Sequence, residues 1–225
     1  MSKNNGCLFI VSTPIGNQRD ITLRAKDVLS DVDAVICEER RQGSTLLKKL
    51  GLQEKELILL NEHNEKESSP IIAEELSLGK RYALISDCGT PAFADPGTEL
   101  IKICYEKTIK VIPIPGPSSL ITAISLSPMP MEEFYFAGFL PKKKEIRYQK
   151  LNSFRKMKVP IILMDAPYRL SRLLSEVSDS FGKSCLVTMA FDLTLPTEMI
   201  VHGAIEEIQK RINDKKGEFI LILYP

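Results

Sequence analysis

The sequence holds no apolar run long enough to cross a membrane. Its longest stretches, "VPIILM" at 159–164 and "FILILYP" at 219–225, fall well short of the roughly 20 residues that a span requires. The N-terminal "MSKNNGCLFIVS" lacks the extended apolar core of a secretory leader, so secretion is not expected. Cysteine is sparse and scattered: five residues, at 7, 37, 88, 104 and 185, with no C-x-x-C among them. The two histidines, His63 and His202, adjoin no cysteine. No metal site is therefore expected, and reduced thiols in a cytoplasmic protein are the plain reading. Three loop chemistries are missing as well. There is no G-x-G-x-x-G, no G-x-x-x-x-G-K-[S/T] and no serine in a nucleophile elbow, which disfavours dinucleotide, P-loop and covalent catalysis. Excess charge of one sign is also absent. Thirty Lys and Arg against 29 Asp and Glu leave a formal charge of +1. Bulk charge cannot hold nucleic acid, so any such contact must come from a local basic patch.

What is present is an ordinary globular composition, 44% apolar and 26% charged over 225 residues. That length allows one large α/β domain or two smaller ones. "LFIVS" (8–12) reads as a buried strand, followed by a helix in "DITLRAKDVLSDV" with Asp20 as its N-cap. "DAVICEE" (33–39) is a strand, and "STLLKKLG" (44–51) a helix ended by Gly51. "ELILLNEH" is a strand, then "PIIAEELSLG" is a helix starting at Pro70 and ending at Gly79. "RYALISD" and "KVIPIPG" are strands flanking the helix "PGTELIKICYEK". "SSLITAISLS" is a helix. After "SPMPMEE" and a lysine run come a strand in "VPIILMDAP", a helix in "YRLSRLLSEVSDSFG", a strand in "CLVTMAFDL", a helix in "AIEEIQKRI" and a strand in "EFILILYP". Strict strand–helix alternation through about residue 127 predicts a mostly parallel sheet. The change of punctuation predicts two α/β domains, 1–120 and 121–225, with mostly parallel or mixed sheets.

Ligands in open α/β sheets bind beyond the carboxyl ends of the strands, and four stretches there have unusual composition: "STPIGN" (12–17), "SDCGTPAFADPG" (86–97), "PIPGPSS" (113–119) and "FAGFLPKKK" (136–144). In the second, glycines and prolines shape a twelve-residue loop that carries Asp87 and Asp95. It is either a rigid turn with two capping aspartates or a wall for a small polar ligand. Ser118 and Ser119 either cap a helix or hold a ligand carboxylate at its start. The "PKKKEIR" cluster is a solvated face or a phosphate contact. "CEERRQ" (37–42) is a salt-bridged turn or a base beside a phosphate clamp. His63 reads as an ordinary loop histidine.

Taken in order, "TPIGN", "DIT", "EHNE", "SDCGTPAFADPG", "PIPGPSSLITAIS", "GFLPKKK", "DAPYRL", "FDLT", "EMIVHG" and "GEFILIL" resemble the tetrapyrrole methylase superfamily of class III methyltransferases. Within it they are similar to the branch that 2′-O-methylates a cytidine of small-subunit (16S) ribosomal RNA. The resemblance runs from about residue 8 to 223. It implies a two-domain α/β fold with a cofactor cleft between the domains, S-adenosylmethionine as cofactor, ribosomal RNA or the small ribosomal subunit as partner, and a homodimer. Carried over motif by motif, the cofactor residues are Thr13, Pro14, Asp87, Gly89, Thr90, Phe93, Ser118 and Ser119, then Met164, Ala190 and Phe219. Glu38 and Glu39 are the candidates for a general base, with Asp87 and Asp95 behind them. Arg41, Lys142, Lys143 and Lys144 are the candidates for holding RNA phosphates. The chain departs from the branch where Glu38–Arg41 replace "EDTR", where Asn61 replaces histidine, at Arg19, and where "DAPYR" replaces "EAPHR". It also stops after its final strand, where many members carry a further segment. Rival readings are a methyltransferase of a tetrapyrrole or corrin precursor and a non-catalytic RNA- or cofactor-binding module.

Overall fold

The computed structural model describes residues 6–212 and 215–225 and divides into two compact units, Met1–Ser118 and Ser119–Pro225. The first unit alternates strand and helix throughout: β1 (Cys7–Val11), α1 (Leu23–Asp31), β2 (Ala34–Cys37), α2 (Arg40–Lys49), β3 (Glu56–Leu59), α3 (Glu65–Ser77), β4 (Arg81–Ile85), α4 (Thr98–Glu106) and β5 (Lys110–Ile114). The strands form one parallel sheet in the order β3-β2-β4-β1-β5. Successive side chains point to opposite faces, so these strands are apolar on both. Phe9, Val11, Val35 and Ile85 meet Ala25 and Leu29 of α1 and Leu46 and Leu47 of α2. Leu8, Ile36 and Leu84 meet Ile72 and Leu76 of α3 and Leu100 of α4.

Three helix starts differ from the sequence expectation. Asp20 does not cap α1, because it is taken up in a 3-10 turn, Gln18–Asp20. Thr22 caps instead, its hydroxyl accepting the Ala25 N–H at 3.1 Å. Helix α2 opens four residues before Ser44. Gly43 lets the helix lie against β2, since a Cβ there would stand 2.8 Å from Cys37 Sγ. Helix α3 opens at Glu65 rather than at Pro70, which lies inside it. The turn before it is closed by Asn61 Oδ1, which accepts the N–H groups of His63 and Asn64. Proline costs one internal hydrogen bond there, which the burial of Ile72, Ala73 and Leu76 offsets.

The second unit contains α5 (Ser119–Ser125), β6 (Tyr135–Phe139), α6 (Lys144–Phe154), β7 (Ile161–Asp165), α7 (Leu170–Phe181), β8 (Leu186–Phe191), β9 (Met199–Ala204), α8 (Ile205–Arg211) and β10 (Phe219–Tyr224). Its sheet, β6-β7-β10-β8-β9, is mixed: β6 runs parallel to β7 and the other pairs are antiparallel. Leu163, Met189, Phe191, Phe219 and Leu221 form the core with Leu151, Phe154, Leu173, Val177 and Ile208. The sequence pattern assigns neither β6 nor β9. "FAGFLPKKK", expected as a strand-end loop, contains most of β6 and the first residue of α6. Both missed strands are sheet edges, paired on one side only.

A buried ion pair pins the start of α6. Arg147 Nε and Nη2 donate to Glu176 of α7, both at 2.5 Å, and Nη1 donates to the carbonyls of Pro141 (3.0 Å) and Lys142 (2.9 Å). Burial alone would raise the Glu176 carboxyl, but hydrogen bonds from Arg147 and Arg172 hold it below its ordinary range. Arg147→Met is expected to cost about 3 kcal/mol in urea unfolding, because it strips a buried carboxylate of its main partner. Adding Glu176→Leu is expected to recover most of that loss.

Candidate functional site

The first sheet places its loops at a topological switch. Helices α1 and α2 cover the Val11 face, whereas α3 and α4 cover the Leu84 face. The chain leaving β1 therefore turns to one side and the chain leaving its neighbour β4 to the other. That divergence opens a crevice beyond their carboxyl ends.

The crevice walls are stitched together residue by residue. Val11 and Ile85 are register partners, so Ser12 and Ser86 leave the sheet side by side. The Thr13 N–H donates to the Gly89 carbonyl at 2.8 Å, and its hydroxyl to the Ser86 carbonyl at 3.0 Å. Thr13 is 2% exposed, so this hydroxyl belongs to the scaffold. The Ser12 N–H donates to the Ile114 carbonyl of β5 at 3.2 Å, and the Ser12 hydroxyl lies 3.4 Å from that of Thr90. Thr90 in turn donates to the Pro117 carbonyl at 3.4 Å. Ser86 is the hub of its loop: its hydroxyl accepts the Cys88 N–H at 3.1 Å and donates to Asp95, with the Cys88 carbonyl 3.2 Å away. Neither Ser12 nor Ser86 stood among the sequence candidates. The available signal was a hydroxyl residue directly after a buried strand.

The loop 86–97 is held in costly backbone. Ala92 and Ala94 both lie at φ 59°, and Gly89 at φ 89°. The left-handed region costs an L-residue roughly 1–2 kcal/mol. Gly97 closes the loop at φ 126°, where a Cβ would stand 2.5 Å from Leu84 Cδ2. Glu65 of α3 accepts the N–H groups of Gly97 (2.8 Å) and Glu99 (3.0 Å), capping α4 from outside and fixing the loop's far end.

Carboxylates gather at the rim. Glu38 follows β2 directly and is half-buried, whereas Glu39 is exposed. The Glu39 N–H donates to Asp87 Oδ1 at 3.4 Å. Burial raises the Glu38 carboxyl above its ordinary value, and Asp95, Asp87, Glu62 and Glu39 add to the effect. Burial likewise raises Asp87 and Asp95. The Cys37 thiol is pushed up to about 11, first by burial and then by Asp87, and so stays protonated. All five cysteines are free thiols.

The structure thus gathers Thr13, Pro14, Asp87, Gly89, Thr90 and Glu38 around one sheet end. Phe93 lies on the same loop and is 43% exposed. Ser118 ends the first unit, and Ser119 opens α5 of the second. In the second unit Met164 and Ala190 are both register partners of Ile220. Phe219 alternates to the other face and packs on Phe191, with ring centroids 6.0 Å apart. Its side chain is part of the core. Arg41 is exposed on α2, and Lys142, Lys143 and Lys144 are exposed at the start of α6. Lys144 Nζ rests 5.8 Å from the Tyr148 ring centre.

A solved uroporphyrin-III C-methyltransferase from Thermus thermophilus, complexed with S-adenyl homocysteine, superposes with a TM-score of 0.66 at 18% identity over 97% of each chain. The fold is therefore that of a two-unit α/β methyltransferase. The ribosomal RNA small subunit methyltransferase I of Vibrio cholerae serotype O1 is 38% identical over 221 residues, spanning 96% of this chain and 76% of that protein. The protein of the same name in Leptospira biflexa is 36% identical over 222 residues, spanning 98% and 92%. Residues 7–209 match the family of Tetrapyrrole (Corrin/Porphyrin) Methylases. The chain belongs to that family of methyltransferases, and its methyl donor is S-adenosylmethionine.

The donor set of the crevice suits this cofactor. Hydroxyls and carbonyls at Ser12, Thr90 and Pro117 match a nucleoside, and the carboxylates match a sulfonium and an ammonium. Folding tightens proton binding at Glu38, Asp87 and Asp95. Stability from these groups is thus full below the ordinary carboxylate range and is lost as pH rises through the raised values. Glu38→Gln is expected to raise the thermal midpoint at about pH 8. The gain should shrink to nothing in acid, where Glu38 is itself protonated; differential scanning calorimetry across pH measures this.

Proposed function

We propose that this chain methylates the ribose 2′-hydroxyl of a cytidine in small-subunit (16S) ribosomal RNA, in the cytoplasm and as a homodimer. The observation that carries the reading is Glu38, a half-buried carboxylate with a raised proton affinity at the rim of the crevice. It stands two residues before the exposed cations of α2. The names of relatives at 38% and 36% identity support an RNA substrate over a macrocycle. No helix among the described residues is long and apolar enough to cross a membrane.

When bound, S-adenosylmethionine would supply an electrophilic methyl group, whose bond to sulfur would break as a C–O bond forms, with the neutral thioether of S-adenosylhomocysteine leaving. In the first unit the cofactor is assigned to Thr13, Pro14, Asp87, Gly89, Thr90, Phe93 and Ser118. Much of the catalysis then lies in alignment. Glu38 accepts the hydroxyl proton as the new C–O bond forms. A carboxylate with raised affinity is better matched to that task than an ordinary one. Glu39 is the weaker base candidate, because its side chain is exposed and its N–H anchors Asp87. Arg41 and Lys142–Lys144 hold phosphates.

Small subunits from a strain lacking the gene, incubated with labelled cofactor, should gain one 2′-O-methylcytidine, locatable by mapping. Glu38→Gln is expected to slow single-turnover transfer roughly 10²- to 10⁴-fold, with Glu39→Gln within a few-fold of wild type. The rate should fall as pH drops through the raised Glu38 value, giving an ascending limb above the usual carboxylate range. Full activity in the Glu38→Gln/Glu39→Gln double variant would sink the base assignment. Sedimentation equilibrium should return about twice the 25.3 kDa chain mass for a homodimer.

A further inference from the structure

Helix α2 has a charge pattern that folding alone does not call for. Its sequence, "RRQGSTLLKK", has cations at both ends and no acid. Arg40 and Arg41 occupy the first turn, where the macrodipole disfavours positive charge. Arg41, Lys48 and Lys49 form no ion pair among the described residues, although cations elsewhere on the chain do, such as Arg81 with Asp31 and Lys107 with Glu74. The burial of Leu46 and Leu47 beneath the helix explains its presence but not this charge.

One side of α2 walls a groove. Gln42, Thr45 and Lys49, spaced three and four apart and hence on one helix face, line a space of about 70 Å³ together with Gln18 from the β1 loop. Its floor is Thr13, Pro14, Leu46, Ile85 and Ser86, which are also parts of the crevice and its supporting core. The side chains of Gln18, Gln42 and Lys49 make no hydrogen bond or ion pair among the described residues. Asp87 also lines the groove but is bonded to the N–H of Glu39 at the start of α2. Lys49 lines the same space and is in no ion pair among the described residues, so its charge faces an anion held there. The volume admits a few waters or one phosphate-sized group, and is too small for a base.

We propose that the groove formed by Gln18, Gln42, Thr45 and Lys49 holds one backbone phosphate of the RNA strand next to the methylated nucleotide. This rests on the RNA reading above. Lys49 supplies the charge, the two amides supply donors, and the shared floor ties the phosphate's position to the crevice.

The test compares the full-length protein with Lys49→Ala, Lys49→Arg and Lys49→Ala/Gln42→Ala. Binding to 16S ribosomal RNA is titrated at several potassium chloride concentrations, alongside methylation of small subunits and calorimetry with S-adenosylhomocysteine. Lys49→Ala is expected to flatten the slope of log affinity against log salt by about 0.7, one phosphate contact on a single strand. KM for subunits should rise roughly tenfold, with kcat and S-adenosylhomocysteine affinity unchanged. Lys49→Arg should restore the slope. An unchanged slope and KM in the double variant, with wild type active, would overturn the groove assignment while leaving the RNA reading intact. A wild type that binds S-adenosylhomocysteine yet neither binds nor methylates 16S RNA would overturn the RNA reading, and the groove assignment with it.

Discussion

Everything at the candidate site depends on how Thr13 is held. Its N–H and hydroxyl both reach across from β1 to the loop after β4. These strands are neighbours whose chains depart to opposite faces of the sheet, and without a bridge their loops would splay. A buried hydroxyl must find a partner or cost about 1–3 kcal/mol, and here the partner is the opposing wall. The bridge thus satisfies the scaffold and sets the crevice width at once. The strained stretch around Ala92 and Ala94 is sustainable because Thr13 and Ser86 fix one end of it and Glu65 fixes the other. The loop's preorganised form is accordingly a property of residues on β1, β4 and α3, and not of the loop sequence alone.

The first unit was largely legible from sequence because its three central strands, β1, β2 and β4, are buried on both faces. Continuous apolar runs such as "LFIV" and "YALI" leave little ambiguity. The two strands that went unread, β6 and β9, are edges of the second sheet. Their sequences, "YFAGF" and "MIVHGA", include small and polar residues that interrupt the apolar pattern. A bulge between Phe136 and Gly138 further breaks the period in β6. Helix starts were misread where capping depends on a turn that precedes the helix, as at Thr22 and Asn61. At the site, motif resemblance reached Thr13, Asp87, Gly89 and Thr90. It missed Ser12 and Ser86, whose importance lies in partners 78 and 9 residues away. The Ser12 contact is set by strand order, which no local pattern encodes, and the Ser86 contact by the fold of its own loop.

Charge is distributed so that a nearly neutral chain still offers sharply different surfaces. The crevice rim is acidic, α2 beside it is basic without an acid, and the start of α6 carries three exposed lysines. The two halves of the "CEERRQ" stretch belong to different structures. Glu38 and Glu39 leave β2 at the rim, while Arg40 and Arg41 already turn in α2. Reading the stretch as a salt-bridged turn fails on this point, because none of its four charges is in an ion pair with another.

Carboxylates are used in two opposite ways. Glu176 of the second unit is paired with Arg147 and Arg172, so its proton affinity is lowered and its stabilisation is lost as pH falls. Glu38, Asp87 and Asp95 of the first unit, and Glu218 of the second, have raised affinities, and their contribution is lost as pH rises. A paired charge serves packing, since it fixes the α6–α7 contact and the carbonyls before the lysine run. A half-buried carboxylate without a cation destabilises the unit that carries it at neutral pH. Such a cost is characteristic of groups that must bind a cation or take up a proton during turnover. A raised affinity alone does not mark a site, since Glu218 shares it; what sets Glu38, Asp87 and Asp95 apart is that they gather at one sheet end.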